Sequence, residues 1–506
     1  MNLSDLFAIP RQRTPDKVAL HFCDSNQQSS QWSYAQLYDA VDRLVAGLSE
    51  WGLRKGDRVA FFLSNRPEFV IAYLAVIRLG AIMVPINLRY RRLELSHILA
   101  DSTPRLVISE QQYAPLLDEL DASAKASIEL LLLVEEIANY EPRMTDDGLR
   151  ITQPPIHSDD LALIMYTSGT TGRSKGAMLT HNNVMATVTG LLAAWAWEPS
   201  DRLHLCLPLF HTHGLVVGLH CALAAGATVL LHPAFDCAAA IDELTSGAAS
   251  LFFAVPTLYV RLVEELQKRP PQDFRSMRLF CSGSAPLAAE TMTAFQALTG
   301  HSILERYGMT ETGMNLSNPY YGVRVPGSVG TPLPGVSMRI VNEQNVDLPA
   351  GEAGELLMQG SHVFVGYWNA PEKTAASFSH DAQGRQWFHT GDIARQEATT
   401  GYVTLLGRRH ELIISGGFNI YPREIEEMLV TYPGVAEAAV IGQPHPQWGE
   451  VPVAYLVCTT SIDQEELITY CRSQLASFKV PRAIHWVDAL PRNAMGKLQK
   501  HLLVKG

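Results

Sequence analysis

"LALIMYTSGTTGRSKGAML", residues 161–179, begins as an apolar run and turns into a loop of small polar residues. The run "LALIMYTS" (161–168) reads as a buried strand, because it is short, continuous and bounded by turn residues. Residues 166–179 then carry six hydroxyl side chains, three glycines and the cations Arg173 and Lys175. Hydroxyls, unencumbered backbone N–H groups and a lysine are what a chain needs to wrap a phosphate, since each oxygen takes several short donors and compensating charge. The loop is not a Walker loop, because Gly172 is followed by Arg173 and Ser174 rather than by Lys and Ser/Thr.

Outward from this stretch, similar apolar runs recur: "RVAFFLS" (58–64), "RLVIS" (105–109), "RLHLCLPL" (202–209), "SLFFAVP" (250–256) and "MRLFCSG" (277–283). Helix-like segments such as "PEFVIAYLAVIRLGA" lie between them. Strand, helix, strand in alternation predicts an α/β fold with parallel sheets covered on both faces. From about residue 325 the texture changes to short strands punctuated by Gly and Pro, and after residue 410 to helices and strands alternating in about a hundred residues. The first change predicts a small β-rich lobe over about 325–408, and the second a separate α+β domain.

Bulk composition narrows the function classes. The chain has 506 residues, 47% of them hydrophobic and 18% charged, enough to bury more than one core. A formal net charge of −11, with no basic run, gives no footprint for nucleic acid. Seven cysteines without a CxxC pair indicate neither a disulfide framework nor a zinc site, and a reducing, cytoplasmic location is expected. The longest apolar run, 214–231, is divided by Gly218, His220 and Gly226, so it reads as a buried helix followed by a strand and no integral membrane segment is expected.

Further motifs carry chemistry. "ERYGMTET" (305–312) sets Thr310 and Glu311 after a glycine, a hydroxyl and a carboxylate suited to magnesium on phosphates, although alone it reads sooner as a capping threonine and glutamate at a turn. "WFHTGD" ends in Asp392, a residue type that binds ribose hydroxyls. "GRRHELIISGGFNIYPREIE" (407–426) joins an arginine pair to a Gly-Gly turn, and "LPRNAMGKLQK" (490–500) offers Lys497 after a glycine. His211 and His213 in "LPLFHTHGL" are two apart, with no third ligand nearby for a metal.

The order "YTSGTTGRSKG", "CSGSAPL", "ERYGMTE", "WFHTGD", "GRR", "SGGFNIYPREIE", "PRNAMGK" resembles the ANL superfamily of adenylate-forming enzymes over essentially the whole chain. The resemblance implies a large N-terminal domain, 1–408, of two αβ-layered sheets plus the β-rich lobe, and a mobile C-terminal domain, 409–506. It implies ATP, Mg2+ and coenzyme A, with an acyl-adenylate formed first and a thioester second. By position, Thr167, Ser168, Gly169, Thr170, Thr171, Gly172 and Lys175 would hold the β- and γ-phosphates. Ser284, Ala285, Pro286 and Tyr307 would flank adenine; Thr310 and Glu311 would meet the α-phosphate and magnesium; Asp392 and Arg408 would meet the ribose. Lys497 would be the catalytic cation, Gly416 and Gly417 would line the pantetheine path, and His211 would border the acyl pocket and thiol channel. The hinge position is His410, where the family usually has Asp or Lys.

Within that family the chain is most similar to malonyl-CoA synthetases, through "LPLFHTHGL", "VPTLYVRL" and "ERYGMTETGMNLSNPYYGVRVPGSVGTPLPGV". A second carboxylate in the substrate needs a buried cation, for which Arg261 and Arg306 are the candidates. The plainer reading pairs Arg261 with Glu264 or Glu265 along a helix and Arg306 with Glu305. Alternatives are a medium-chain or aromatic monocarboxylate ligase, or an adenylation enzyme that loads an acyl carrier protein.

Overall fold

The computed structural model describes residues 1–24, 29–137, 155–167, 174–415, 418–445, 448–475, 477–493 and 498–503. It divides into two units, one of residues 1–326, 332–337 and 359–386, the other of 327–331, 338–358 and 387–506. The architecture is α/β, with a large N-terminal part built on two layered sheets and a smaller C-terminal α+β part.

The first sheet of the larger unit is parallel through Leu304–Met309, Leu279–Ser282, Leu251–Ala254, Arg202–Leu205, Thr228–Leu231 and Val18–Cys23, in that spatial order. Antiparallel hairpins close both of its sides, Gly313–Ser317 on one and Ser29–Ser33 on the other. Strands such as "LFFA" and "LFCS" are apolar at every position because helices cover both faces. Phe252, Tyr259, Phe280 and Phe295 lock one face, with ring centroids 4.9–5.7 Å apart in edge-to-face contacts.

The second sheet runs Lys175–Thr180, Leu161–Thr167, Ile82–Pro85, Arg58–Phe62, Leu106–Ser109 and Leu130–Leu133, parallel from Leu161–Thr167 onward. Helix starts follow local rules. Ser33 caps Tyr34–Glu50, accepting from the Gln36 N–H while its own N–H donates to the Gln36 side chain.

The apolar run at 214–231 forms a π-helical turn, His213–His220, then a short α-helix, Cys221–Ala225, and the strand Thr228–Leu231. Gly226, at φ +72°, makes the reversal between the last two. Among the described residues no helix is long and apolar enough to cross a membrane.

In the second unit, Ala353–Gln359, Gln386–Gln396 and Val403–Arg408 pair antiparallel, so the β-rich stretch is divided: these strands fall mainly here, while Gly366–Tyr367 and Phe378–His380 belong to the larger unit. The C-terminal residues build a long hairpin, Val435–His445 with Gly449–Cys458, which Ala483–Trp486 joins in parallel. Ile425 and Leu429 of the helix Pro422–Val430 pack with Val440, Leu456 and Leu467 into a core of their own.

Burial of histidine sets an acid limit on the larger unit. His220 is wholly buried, stacks on Tyr73 at 5.1 Å and meets Phe7 at 5.0 Å, and both ring nitrogens lack partners among the described residues. Burial pushes it down to about 3 from an ordinary 6.5, so the unfolded chain takes up the proton first as the solution is acidified. The stability tied to its neutral form is complete above about pH 6.5 and is lost as the pH falls toward 3. His220→Phe should therefore lose less Tm than wild type between pH 7 and pH 4.5, by about a few degrees. An identical acid-induced drop in both proteins would show that His220 does not contribute.

Candidate active site

Thr167 and Lys175 are the last and first residues of two antiparallel strands and sit directly opposite each other. They hold the two ends of the segment expected to wrap phosphates; Ser168, Gly169, Thr170, Thr171 and Gly172 between them lie outside the described residues. The Thr167 hydroxyl is 3.4 Å from Glu311 Oε1, and the Tyr367 hydroxyl donates to the same oxygen at 3.0 Å. Lys175 Nζ stands 5.3 Å from the Tyr367 ring. Its value is lowered, first by burial and then by Lys373, with Glu311 opposing. Glu311 is buried, and its backbone carbonyl accepts from the Phe364 N–H at 2.8 Å. Thr310 occupies the turn between Leu304–Met309 and Gly313–Ser317. A carboxylate with hydroxyls beside it is a hard oxygen donor set, which fits Mg2+.

On the strand Leu304–Met309, side chains alternate between two faces. Glu305 accepts from the Leu287 N–H at 3.0 Å on one, and Tyr307, also buried, shares its parity. Arg306 projects to the other, so the pairing of Arg306 with Glu305 does not form. A Cβ placed on Gly283, in the neighbouring segment, would lie 2.5 Å from Arg306 Cζ; only glycine leaves room for the guanidinium there.

Arg306 is 3% exposed, and its Nε and one terminal nitrogen lack hydrogen-bond partners among the described residues. Burial lowers its value, opposed by Cys281. Cys281 supplies no charge at neutral pH, because burial pushes its thiol up to about 11. The site thus holds a buried cation with donors to spare.

Ser284 follows Gly283 at φ +71°, a left-handed conformation that is uncommon for a residue with a side chain and is characteristic of functional turns. Its hydroxyl lies 3.2 Å from His213 Nδ1. His213 is buried at the start of the π-helical turn and is held well below its ordinary value by burial, then by Arg306 and His211. Its proximity to Arg306 and Ser284 gives it a place in the site that its sequence spacing did not suggest. His211 is lowered to about 4 by burial, and its Nε2 has no partner among the described residues. Ala285 is half-buried and Pro286 exposed in the same loop as Ser284.

Arg261 stands apart from these groups. It is an exposed residue of the helix Pro256–Leu266, 5.0 Å from the Phe235 ring, while Glu265 pairs instead with Arg269 and Lys268.

In the second unit, Asp392 and Arg408 are cross-strand partners joined by an ion pair of 2.9 Å, and Arg408 also donates to the Thr390 carbonyl at 3.2 Å. His410, exposed, sits in the single turn Arg409–Glu411, with Glu411 bound to Lys500 at 3.1 Å. Gly416, Gly417 and Lys497 lie outside the described residues. Tyr367, which orients Glu311, had no signal in the sequence, being remote from every motif.

Residues 7–368 match the model of the AMP-binding enzyme family, and residues 424–497 that of the AMP-binding enzyme C-terminal domain. The mitochondrial malonate–CoA ligase of Bos taurus is 36% identical over 89% of this chain and 81% of its own. A feruloyl-CoA synthase of an Amycolatopsis species is also 36% identical, over 92% of both chains. The crystal structure of ATP-bound MatB from Rhodopseudomonas palustris superposes with a TM-score of 0.90 at 39% identity, over 99% of this chain and 98% of the other. The chain therefore belongs to the AMP-binding enzyme family, as an acid–thiol ligase that uses ATP, Mg2+ and coenzyme A.

Proposed function

We propose that the acid activated by this acyl-CoA ligase is a small dicarboxylate, malonate or methylmalonate. The observation that carries the proposal is the buried Arg306 guanidinium with unpartnered nitrogens beside Gly283. A cation kept away from water needs an anion, and a second substrate carboxylate supplies one with paired hydrogen bonds. A monocarboxylate of medium chain or aromatic type is the second reading, favoured by the feruloyl-CoA relative and by the exposed position of Arg261.

In the first half-reaction the substrate carboxylate attacks the α-phosphorus of ATP and pyrophosphate leaves. In the second, the thiol of coenzyme A attacks the acyl-adenylate and AMP leaves. The roles proposed for the chain follow the motifs. Thr167, the 168–172 segment and Lys175 hold the β- and γ-phosphates; Ser284, Ala285, Pro286 and Tyr307 hold adenine; Asp392 and Arg408 hold the ribose. Thr310 and Glu311 meet the α-phosphate and would hold magnesium, which when bound neutralises charge on the departing pyrophosphate. His211, neutral through burial, borders the acyl group. Lys497 offsets the charge that builds as two anions approach, and Gly416 and Gly417 leave room for pantetheine in the second step. Rotation of 409–506 against 1–408 about His410 would exchange the two faces. The thiol donor proposed is free coenzyme A rather than a carrier protein, and the compartment proposed is the cytoplasm.

Arg306→Met removes the charge but keeps apolar bulk, and should lower kcat/KM for malonate on the order of a hundred- to a thousandfold while ATP affinity stays within a few-fold. Arg261→Ala, which removes the same charge from an exposed helix, should change both by less than about threefold. Equal losses of malonate turnover and ATP binding in Arg306→Met would assign the guanidinium a structural role and overturn the dicarboxylate reading.

Lys497→Ala should cost about a hundred- to a thousandfold in adenylate formation, read as pyrophosphate release, and leave thioester formation from preformed acyl-adenylate within a few-fold. Equal losses in both half-reactions would contradict separate faces for the two steps.

A further inference from the structure

A second group of ligating side chains lies in the larger unit and takes no part in the reaction described above. His204 Nδ1 is 3.0 Å from one oxygen of Glu243, and His232 Nε2 is 3.0 Å from the other. The two imidazoles stack at 4.2 Å, and all three ligand atoms lie within 4.8 Å of one another. His204 belongs to Arg202–Leu205, His232 follows the parallel strand Thr228–Leu231, and Glu243 descends from the helix Cys237–Thr245. Two neighbouring parallel strands and the helix that follows them thus bring two nitrogens and one carboxylate together.

Two features distinguish this from an ordinary ion pair. His232 Nε2 is close to Glu243 but outside hydrogen-bond alignment, so the carboxylate does not satisfy it. His204 is 2% exposed, so its ring is held away from solvent.

We propose that His204, His232 and Glu243 bind a borderline divalent cation of the zinc class. Two imidazoles and a carboxylate, with a coordination position left open, suit Zn2+; Mg2+ and Ca2+ take oxygen sets instead. Tetrahedral coordination sets its donors roughly 3.4 Å apart, so the three side chains need only small adjustments. The site has an entry path, since the side chains of His232 and Glu243 are 16% and 19% exposed. Occupancy also reaches the acyl side of the molecule. Asn65 donates to the carbonyls of His232 and Leu207 and accepts from the Leu209 N–H, tying the metal site to the segment that leads to His211.

The test uses the full chain without an affinity tag, stripped with chelator and titrated with ZnCl2 in the absence of nucleotide. Wild type should bind one equivalent by calorimetry and gain Tm, and Co2+ in place of Zn2+ should give the visible absorption of a tetrahedral site. Glu243→Gln and His232→Asn, each checked for native circular dichroism, should weaken binding at least tenfold and abolish the gain in Tm. Absence of saturable Zn2+ binding by wild type overturns the proposal whatever the variants do. Binding of wild-type strength in a folded Glu243→Gln and His232→Asn pair overturns it as well, by placing the ion elsewhere, such as at Glu311.

Discussion

A guanidinium buried without a carboxylate of its own is costly, and much of the larger unit's site is arranged around that constraint. Arg306 has a place only because its neighbour is Gly283, whose missing side chain is the space the guanidinium fills. The reversal of the chain at Ser284, in a left-handed conformation, turns the loop away from it and brings the Ser284 hydroxyl to His213. The charge in turn helps to keep His213 neutral, after burial itself. Cys281, though adjacent, stays a thiol and leaves the positive charge uncompensated. An anion that entered this space would relieve the cost, which under the proposed function would make the cation a selector of substrate.

Sheet geometry explains why these groups meet. Leu279–Ser282 and Leu304–Met309 are neighbouring parallel strands, and the glycine, serine and arginine stand at or beyond the carboxyl end of the first. Parallel sheets collect ligand-binding residues there, because the loops leaving each strand are free to differ while the strands stay locked by packing. Phe252, Phe280, Tyr259 and Phe295 provide that locking. The proposed phosphate side is built differently, from two hairpins: Thr167 faces Lys175 across one, and Thr310 and Glu311 lie in the turn of the other. Tyr367 joins them through its hydroxyl on Glu311 and its ring beneath Lys175.

Strands buried on both faces were legible because such a strand is a continuous apolar run; "LFFA" and "LFCS" could be little else beside turn residues. The phosphate-loop reading rests on dense hydroxyls, glycine and charge in one turn, and "ERYGMTET", which alone reads as a cap or turn, takes its proposed role from the family resemblance. Pairings that depend on tertiary structure were not. Arg306 and Glu305 are adjacent in sequence, yet strand alternation sends them to opposite faces. Arg261 precedes two glutamates on a helix, yet it stacks on Phe235 and leaves Glu265 to Arg269. His213 read only as half of an incomplete metal pair, since its partner Ser284 comes from another strand's loop. The set of His204, His232 and Glu243 has no local spacing at all; register between parallel strands creates it.

The most direct test of the proposed specificity is steady-state pyrophosphate release by the wild-type enzyme with ATP, magnesium and coenzyme A across malonate, methylmalonate, succinate, acetate, octanoate and 4-coumarate. A site that must satisfy a buried guanidinium rejects acids lacking the second carboxylate, so kcat/KM for malonate or methylmalonate should exceed that for the monocarboxylates by on the order of ten thousandfold. A value for octanoate or 4-coumarate equal to or above that for malonate would contradict the account and return Arg306 to a structural role.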